Sequence, residues 1–227
     1  MSLVLRRKRA QTLEEKNQRA EAIRAAARRL LVRHEFVEIT MAEIARNAGL
    51  AKGTVFLYFR TKEEVFLDLA ETAVAEWADA VERSLATLPE ASSTETVGQL
   101  CDALIAPVAE GGRGKLMAIL DDTLEHNITY RRAKQFKLRM KELLARLGGL
   151  LETRLAGLEA GEGASLLHAL FVCLIGSYKV ATPSRTVRRV IAEPGMEVFR
   201  ADFGPLLRQL VGCHIRGYLA AKRRSES

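Results

Sequence analysis

Lys52, Thr54, Tyr58 and Lys62 place two ammonium groups and two hydroxyls within a short stretch, interleaved with Gly53 and Phe56. Such donors suit phosphate oxygens and the acceptor-rich edges of bases. A residue without Cβ lets a backbone come close to a partner surface, and an aromatic ring can stack on a base or touch a thymine methyl. No HExxH, GxSxG, phosphate-cradling glycine loop or Cys/His pair at metal spacing accompanies them. The chemistry is therefore recognition: no catalytic residue is assigned, and neither a cofactor nor a metal is expected.

A second group is Asp121, Asp122, Glu125 and His126, whose pairs Asp121/Glu125 and Asp122/His126 lie one helical turn apart. Such a cluster could bind a divalent metal or the polar end of a small molecule, and it could equally be a solvated helix end. A metal-dependent hydrolase built there is the remote alternative, since the rest of an active site is missing. Trp77, Met117, Phe136, Met140 and Tyr178 could line an apolar cavity, although apolar residues at helical spacing are more often simple core.

The stretch ITMAEIARNAGLAKGTVFLYFRTKEEVF, Ile39 to Phe66, contains the elements that would position the first group. Thr40 and Glu43 have capping-box spacing, and Ile39 and Ile44 occupy the positions of a hydrophobic staple. Gly49 stands where a left-handed helix end needs a residue without Cβ, and Leu50 then turns inward. A second short helix is expected over about Ala51–Tyr58, with Val55, Leu57 and Phe59 toward the core. Thr61 and Glu64 repeat the capping-box spacing at the start of the next helix. Two helices joined by a tight glycine turn make a helix-turn-helix, in which Lys52 and Thr54 reach base edges or phosphates. Tyr58, Lys62 and the Thr40 hydroxyl would hold phosphate oxygens and fix the register.

Helical periodicity persists almost throughout, with no alternation of the kind a sheet needs, so the fold class is all-α with about nine helices. A basic arm (1–12, with Arg6, Arg7, Lys8 and Arg9) precedes a helix over Leu13–His34. Residues 13–62 form the helix-turn-helix domain and 63–227 a second helical domain. Later helices are expected at Lys62–Leu88, Glu95–Ala109, Lys115–His126, Tyr130–Leu158, Gly163–Ala181 and Pro205–Ala221, with Thr182–Gly204 as a long break. Residues 1–62 hold 14 Lys+Arg against 6 Asp+Glu, which leaves 21 against 22 from the chain's 35 and 28. The net +8 at one end of a near-neutral body implies a polyanion partner, with nucleic acid the first candidate.

Cys101, Cys173 and Cys213 are odd in number and far apart, which suits buried free thiols in a reducing cytoplasm. The run Leu166–Gly176 is too short to span a bilayer, and no signal peptide is evident, so a soluble cytoplasmic protein without a membrane partner is expected. Apolar faces carrying Leu167, His168, Phe171 and Ile175 on one helix, and Leu207, Leu210, Val211, His214, Ile215 and Tyr218 on the last, suit a four-helix homodimer interface or an intramolecular core.

The run T-x-x-E-I-A-x-x-A-G-x-x-K-G-T-x-F-x-Y-F-x-x-K-E-E, Thr40 to Glu64, resembles the DNA-binding signature of the TetR family of transcriptional regulators. The resemblance implies contacts to a double-stranded DNA operator from Lys52, Gly53, Thr54, Phe56, Tyr58 and Lys62, with Thr40 capping and touching phosphate. It further implies that the second domain dimerises and holds a small-molecule effector. Ala51 departs from the serine or threonine common at that position, and Phe56 from a usual tyrosine, so the operator sequence is left open. A ligand-responsive repressor on a palindromic site is the leading expectation; an activator and a sequence-independent DNA binder are the alternatives.

Overall fold

The computed structural model describes residues 2–88, 94–109, 112–120 and 126–225. Among these residues there are ten α-helices and two 3-10 turns. The helices are α1 (Ser2–Arg33), α2 (Met41–Asn47), α3 (Lys52–Phe56), α4 (Lys62–Thr87), α5 (Thr94–Ala109), α6 (Arg113–Ala118), α7 (Tyr130–Glu152), α8 (Glu162–Ala181), α9 (Arg185–Ile191) and α10 (Phe203–Ser225). The all-α expectation holds, with one helix more than expected. The chain forms two compact units, Met1–Thr72 with Ile119–Tyr130, and Ala73–Ala118 with Arg131–Ser227.

In the first unit α1 runs unbroken from Ser2, so the segment bearing Arg6, Arg7, Lys8 and Arg9 is helix rather than a separate arm. No glycine or proline lies between Ser2 and Arg33 to interrupt it. Ile23, Ala26, Ala27, Leu30 and Leu31 form its buried stripe and meet Phe36, Ile39, Ile44, Val55, Phe59, Val65 and Phe66 in one core. Arg24 donates to Asp68 through two nitrogens at 3.2 and 3.0 Å, which ties α1 to α4. At the start of α4 the Thr61 hydroxyl accepts the Glu64 N–H, as the spacing predicts. The reciprocal bond differs from a capping box: the Glu64 carboxylate takes the N–H of Arg60 instead of Thr61. The Thr61 hydroxyl in turn donates to the carbonyl of Asn127 at 3.0 Å.

In the second unit α10 packs against α5 and α8, and α6 against α8 and α5. Trp77 is buried, its indole N–H donating to the Leu104 carbonyl. Helix α7 stops at Glu152, short of the expected Leu158, and the Glu152 carboxylate accepts the N–H groups of Gly161 and Gly163 at the start of α8. There Gly148 and Gly163 let two backbones meet: a Cβ on either would fall within 2.9 Å of backbone atoms of the other segment. The expected break at Thr182–Gly204 contains α9, started by Ser184, whose hydroxyl accepts the Val187 N–H. Pro183 and Pro194 make that stretch look like loop, but Pro183 lies outside the helix it precedes.

Leu167, Leu207, Val211 and Ile215, read as interface candidates, are buried inside their own subunit. Helix α8 also corrects the reading from Leu166–Gly176. As a helix of 20 residues it is long and apolar enough to cross a membrane by length and composition. Its Leu166, Leu167, Leu170 and Leu174 are nevertheless buried in the unit, while Lys179 and His168 are exposed.

Lys222 joins the end of α10 to this corner through Glu159 (3.1 Å) and Glu162 (2.7 Å). The N–H of Glu159, then Lys222 and Tyr218, hold the Glu162 carboxyl down to about 2 from an ordinary 4.5. A depressed carboxylate pKa stabilises the fold above the unfolded value, and that contribution disappears as pH falls toward the folded value. Glu162→Gln should therefore melt below the wild type at neutral pH, with the Tm gap narrowing as pH drops from 4.5 toward 2. A gap independent of pH would remove the ionic explanation.

Candidate nucleic-acid interface

Both ends of α2 are closed by side chains or backbone, which aims α3. Thr40 Oγ1 accepts the Glu43 N–H at 3.3 Å, while the Glu43 carboxylate accepts the Thr40 N–H at 2.9 Å and its hydroxyl at 2.8 Å. These bonds, the Thr40 hydroxyl first, hold the Glu43 carboxyl below the ordinary carboxylate range. At the other end Gly49 sits at φ 68° and donates to the Arg46 carbonyl, and Leu50 donates to Ala45. This Schellman pattern satisfies the last carbonyls of the helix. Arg29 adds a bond from α1 to the Asn47 carbonyl at 2.9 Å.

Helix α3 begins at once from Ala51 and buries only Val55. Lys52, Gly53 and Phe56 are exposed, while Thr54 and Tyr58 are half-buried. Lys52 and Phe56, four residues apart, share one outward face, with the ammonium 5.9 Å from the ring centroid. Gly53 has open space where a Cβ would stand and no positive φ. Leu57 corrects the expected core set: it is 79% exposed. So short a helix turns only one side chain inward before the chain bends, and Phe59 supplies the next. Leu57→Gln should leave the unfolding free energy from urea titration within about 0.5 kcal/mol of wild type; a larger loss would place Leu57 back in the core.

Lys62, expected on the DNA side, is engaged within its own unit. Its ammonium donates to the carbonyls of Phe36 (2.9 Å) and Val37 (3.2 Å) and lies 4.6 Å from the Phe36 ring centroid. Phe36 meets Phe66 edge-on at 5.1 Å. Lys62 thus fastens the turn before α2 to the start of α4. Arg24 and Arg29, which fasten α1 to α4 and α2, went unassigned in the sequence because nothing in the spacing of α1 points to partners 44 and 18 residues away.

The remaining candidates separate between the units. Met117 and Phe136 are buried, Met140 is half-buried, and Tyr178 is half-buried with its ring edge-on to Phe203 at 5.5 Å. These, with Trp77, belong to the second unit; the exposed His126 belongs to the first. Asp121, Asp122 and Glu125 lie outside the described residues. No group of three His, Cys, Asp or Glu placed to hold a metal occurs among the described residues. On the outer sides of α8 and α10, His168 and Leu210 are exposed, and Phe171, Ile175, His214 and Tyr218 are half-buried.

Residues 23–69 match the sequence model of the bacterial regulatory proteins, tetR family, and residues 71–222 match that of the tetracyclin repressor-like C-terminal domain. The chain belongs to the TetR family. It is similar to the HTH-type transcriptional regulator EthR of Mycolicibacterium smegmatis, 32% identical over 71 residues, or 31% of this chain and 33% of that protein. YfiR of Bacillus subtilis, described as an uncharacterized HTH-type transcriptional regulator, is 33% identical over 73 residues, or 32% of this chain and 36% of its own. The chain thus matches about a third of the length of these HTH-type relatives. A solved structure described as a TetR-family regulator from Mesorhizobium loti superposes with a TM-score of 0.53 at 21% identity, over 90% of this chain and 96% of that one. This last likeness concerns the fold.

Proposed function

We propose that this TetR-family chain is a sequence-specific transcriptional repressor that binds a palindromic DNA operator as a homodimer and is released by a small-molecule effector. The observation that carries the reading is Gly53. Glycine on a helix costs about 1 kcal/mol against alanine, yet neither packing nor backbone conformation within the chain asks for one there. Close approach of α3 to a base edge supplies the reason. Lys52 and Phe56 then flank that approach on the same face, with Thr54, Tyr58 and Thr40 toward phosphates and Arg6, Arg7, Lys8 and Arg9 along the adjoining backbone.

Two copies must hold their recognition helices about 34–36 Å apart, one turn of DNA. We assign the pairing face to the outer residues of α8 and α10, His168, Phe171, Ile175, Leu210, His214 and Tyr218. Val172, 60% exposed on α8, extends this face. Its polar members, His168, His214 and Tyr218, favour a second copy over a bilayer, consistent with a cytoplasmic location. The effector has an apolar body received by Trp77, Met117, Phe136, Met140 and Tyr178. It favours a dimer form whose recognition helices miss successive grooves.

The test is selection of bound duplexes from a random pool by wild type, Lys52→Ala, Gly53→Ala and Tyr58→Ala. A palindromic consensus is expected, altered by Lys52→Ala and bound more weakly at every sequence by Tyr58→Ala. Gly53→Ala should lose affinity at least tenfold, about 1.4 kcal/mol, while its Tm stays level or rises. Absence of any enriched motif would reject the reading in favour of a sequence-independent binder.

A further inference from the structure

The near-neutral charge of the chain beyond Glu63 conceals a local excess. Between residues 130 and 142 there are six cations, Arg131, Arg132, Lys134, Lys137, Arg139 and Lys141, against the single carboxylate of Glu142. All of these lie on α7. At about 100° per residue, Arg131, Lys134, Lys137 and Lys141 fall on one side of the helix, and all four are exposed. Tyr130, 82% exposed, and Leu138, 50% exposed, lie among them. The opposite side is the apolar one, with Phe136, Leu147 and Leu151 buried in the unit's own core.

We infer that this face of α7 is a second polyanion-binding surface, which takes the phosphate backbone of duplex DNA flanking the operator. The inference rests on the DNA-binding reading above and adds contacts from outside the helix-turn-helix. The charge density fits: residues 131–141 extend about 15 Å along the helix, and a duplex of that length carries about nine phosphates. Three lysines suit such a surface, because a flexible ammonium meets phosphates as a point charge without demanding one geometry. An anionic membrane is the competing partner for a basic helix face. A helix lying on a bilayer must offer its apolar side to the lipid, and the apolar side of α7 is already occupied.

The experiment measures binding of the full chain to two duplexes at several salt concentrations. One ends at the consensus selected from the random pool; the other carries a helical turn of random flank on each side. The triple variant Lys134→Gln/Lys137→Gln/Lys141→Gln should bind the long duplex about tenfold more weakly and flatten its salt slope by up to about 2.7. The short duplex and the Tm should be unaffected. Arg185→Gln/Arg189→Gln, which removes exposed cations from α9, should change neither duplex.

An unchanged salt slope and long-duplex affinity would overturn the inference and leave the face as a solvated one. Loss of binding to phosphatidylserine vesicles with DNA binding intact would overturn it in favour of a membrane. Failure of the operator reading is separately visible as the absence of any selected consensus. In that case the same lysines are read from the salt slope on random-sequence duplex, where a flattened slope supports the surface and an unchanged slope rejects it. Absence of all duplex binding by the wild type would reject both.

Discussion

Gly163→Ala is expected to destabilise the chain by about 3 kcal/mol, the upper end of what overpacking a closed contact does. A Cβ on Gly163 would stand 2.7 Å from the carbonyl carbon of Gly148 and 2.9 Å from its Cα. Both obstacles are backbone, so no side chain can rotate aside and α7 and α8 must separate. Gly148→Ala meets Ala164 Cα and the Gly163 carbonyl carbon, each at 2.9 Å, and should do comparable harm. Gly149, the next residue, has open space for 4 Å around the place a Cβ would take. Gly149→Ala should therefore be neutral or gain up to about 1 kcal/mol from helix propensity. For a chain of this size 3 kcal/mol corresponds to a Tm shift of roughly 6–12 °C. Thermal melts of the three variants decide the matter: equal Tm values for Gly163→Ala and Gly149→Ala would show that the backbones do not meet.

Lys62→Met should be the next most damaging change, through stability rather than through lost phosphate contact. Methionine keeps the apolar stem and deletes the ammonium, which holds two carbonyls and the Phe36 ring. Hydrogen bonds from a charged donor contribute about 1.5–3 kcal/mol net, and a cation over a ring about 0.5–2. Partial exposure of the site places the expected loss at about 2–3 kcal/mol, read from the urea midpoint. At a temperature where both proteins are folded, the salt slope of DNA binding should be the same. A slope lower by about 0.9 would mean that Lys62 also neutralises a phosphate, and its carbonyl partners would then be incidental.

Legibility followed the range over which each interaction acts. The cap at Thr40 and Glu43, the turn at Gly49 and the limits of α4 depend on residues a few positions apart, and the spacing alone places them. Lys62 illustrates the opposite case. A lysine at the head of a helix beside a recognition element invites a phosphate contact, and only the fold brings the Phe36 and Val37 carbonyls under it. Leu57 looked like core by residue type, but α3 ends before it. Leu167, Leu207, Val211 and Ile215 had the right character for an interface, and hydropathy does not say whether the covering surface belongs to the same chain. The basic face of α7 was hidden by averaging: a sum over 63–227 cancels six neighbouring cations against acids spread over the other helices.

One consequence of the cap at Gly49 concerns how this molecule could be retargeted. Because α2 is finished by its own backbone bonds and α3 lends only Val55 to the core, Lys52, Gly53, Thr54 and Phe56 can be exchanged with little effect on folding. Stability and reading preference are then nearly independent variables in this chain. Libraries confined to those four positions should stay largely folded, which makes α3 a replaceable reading head on a fixed mount.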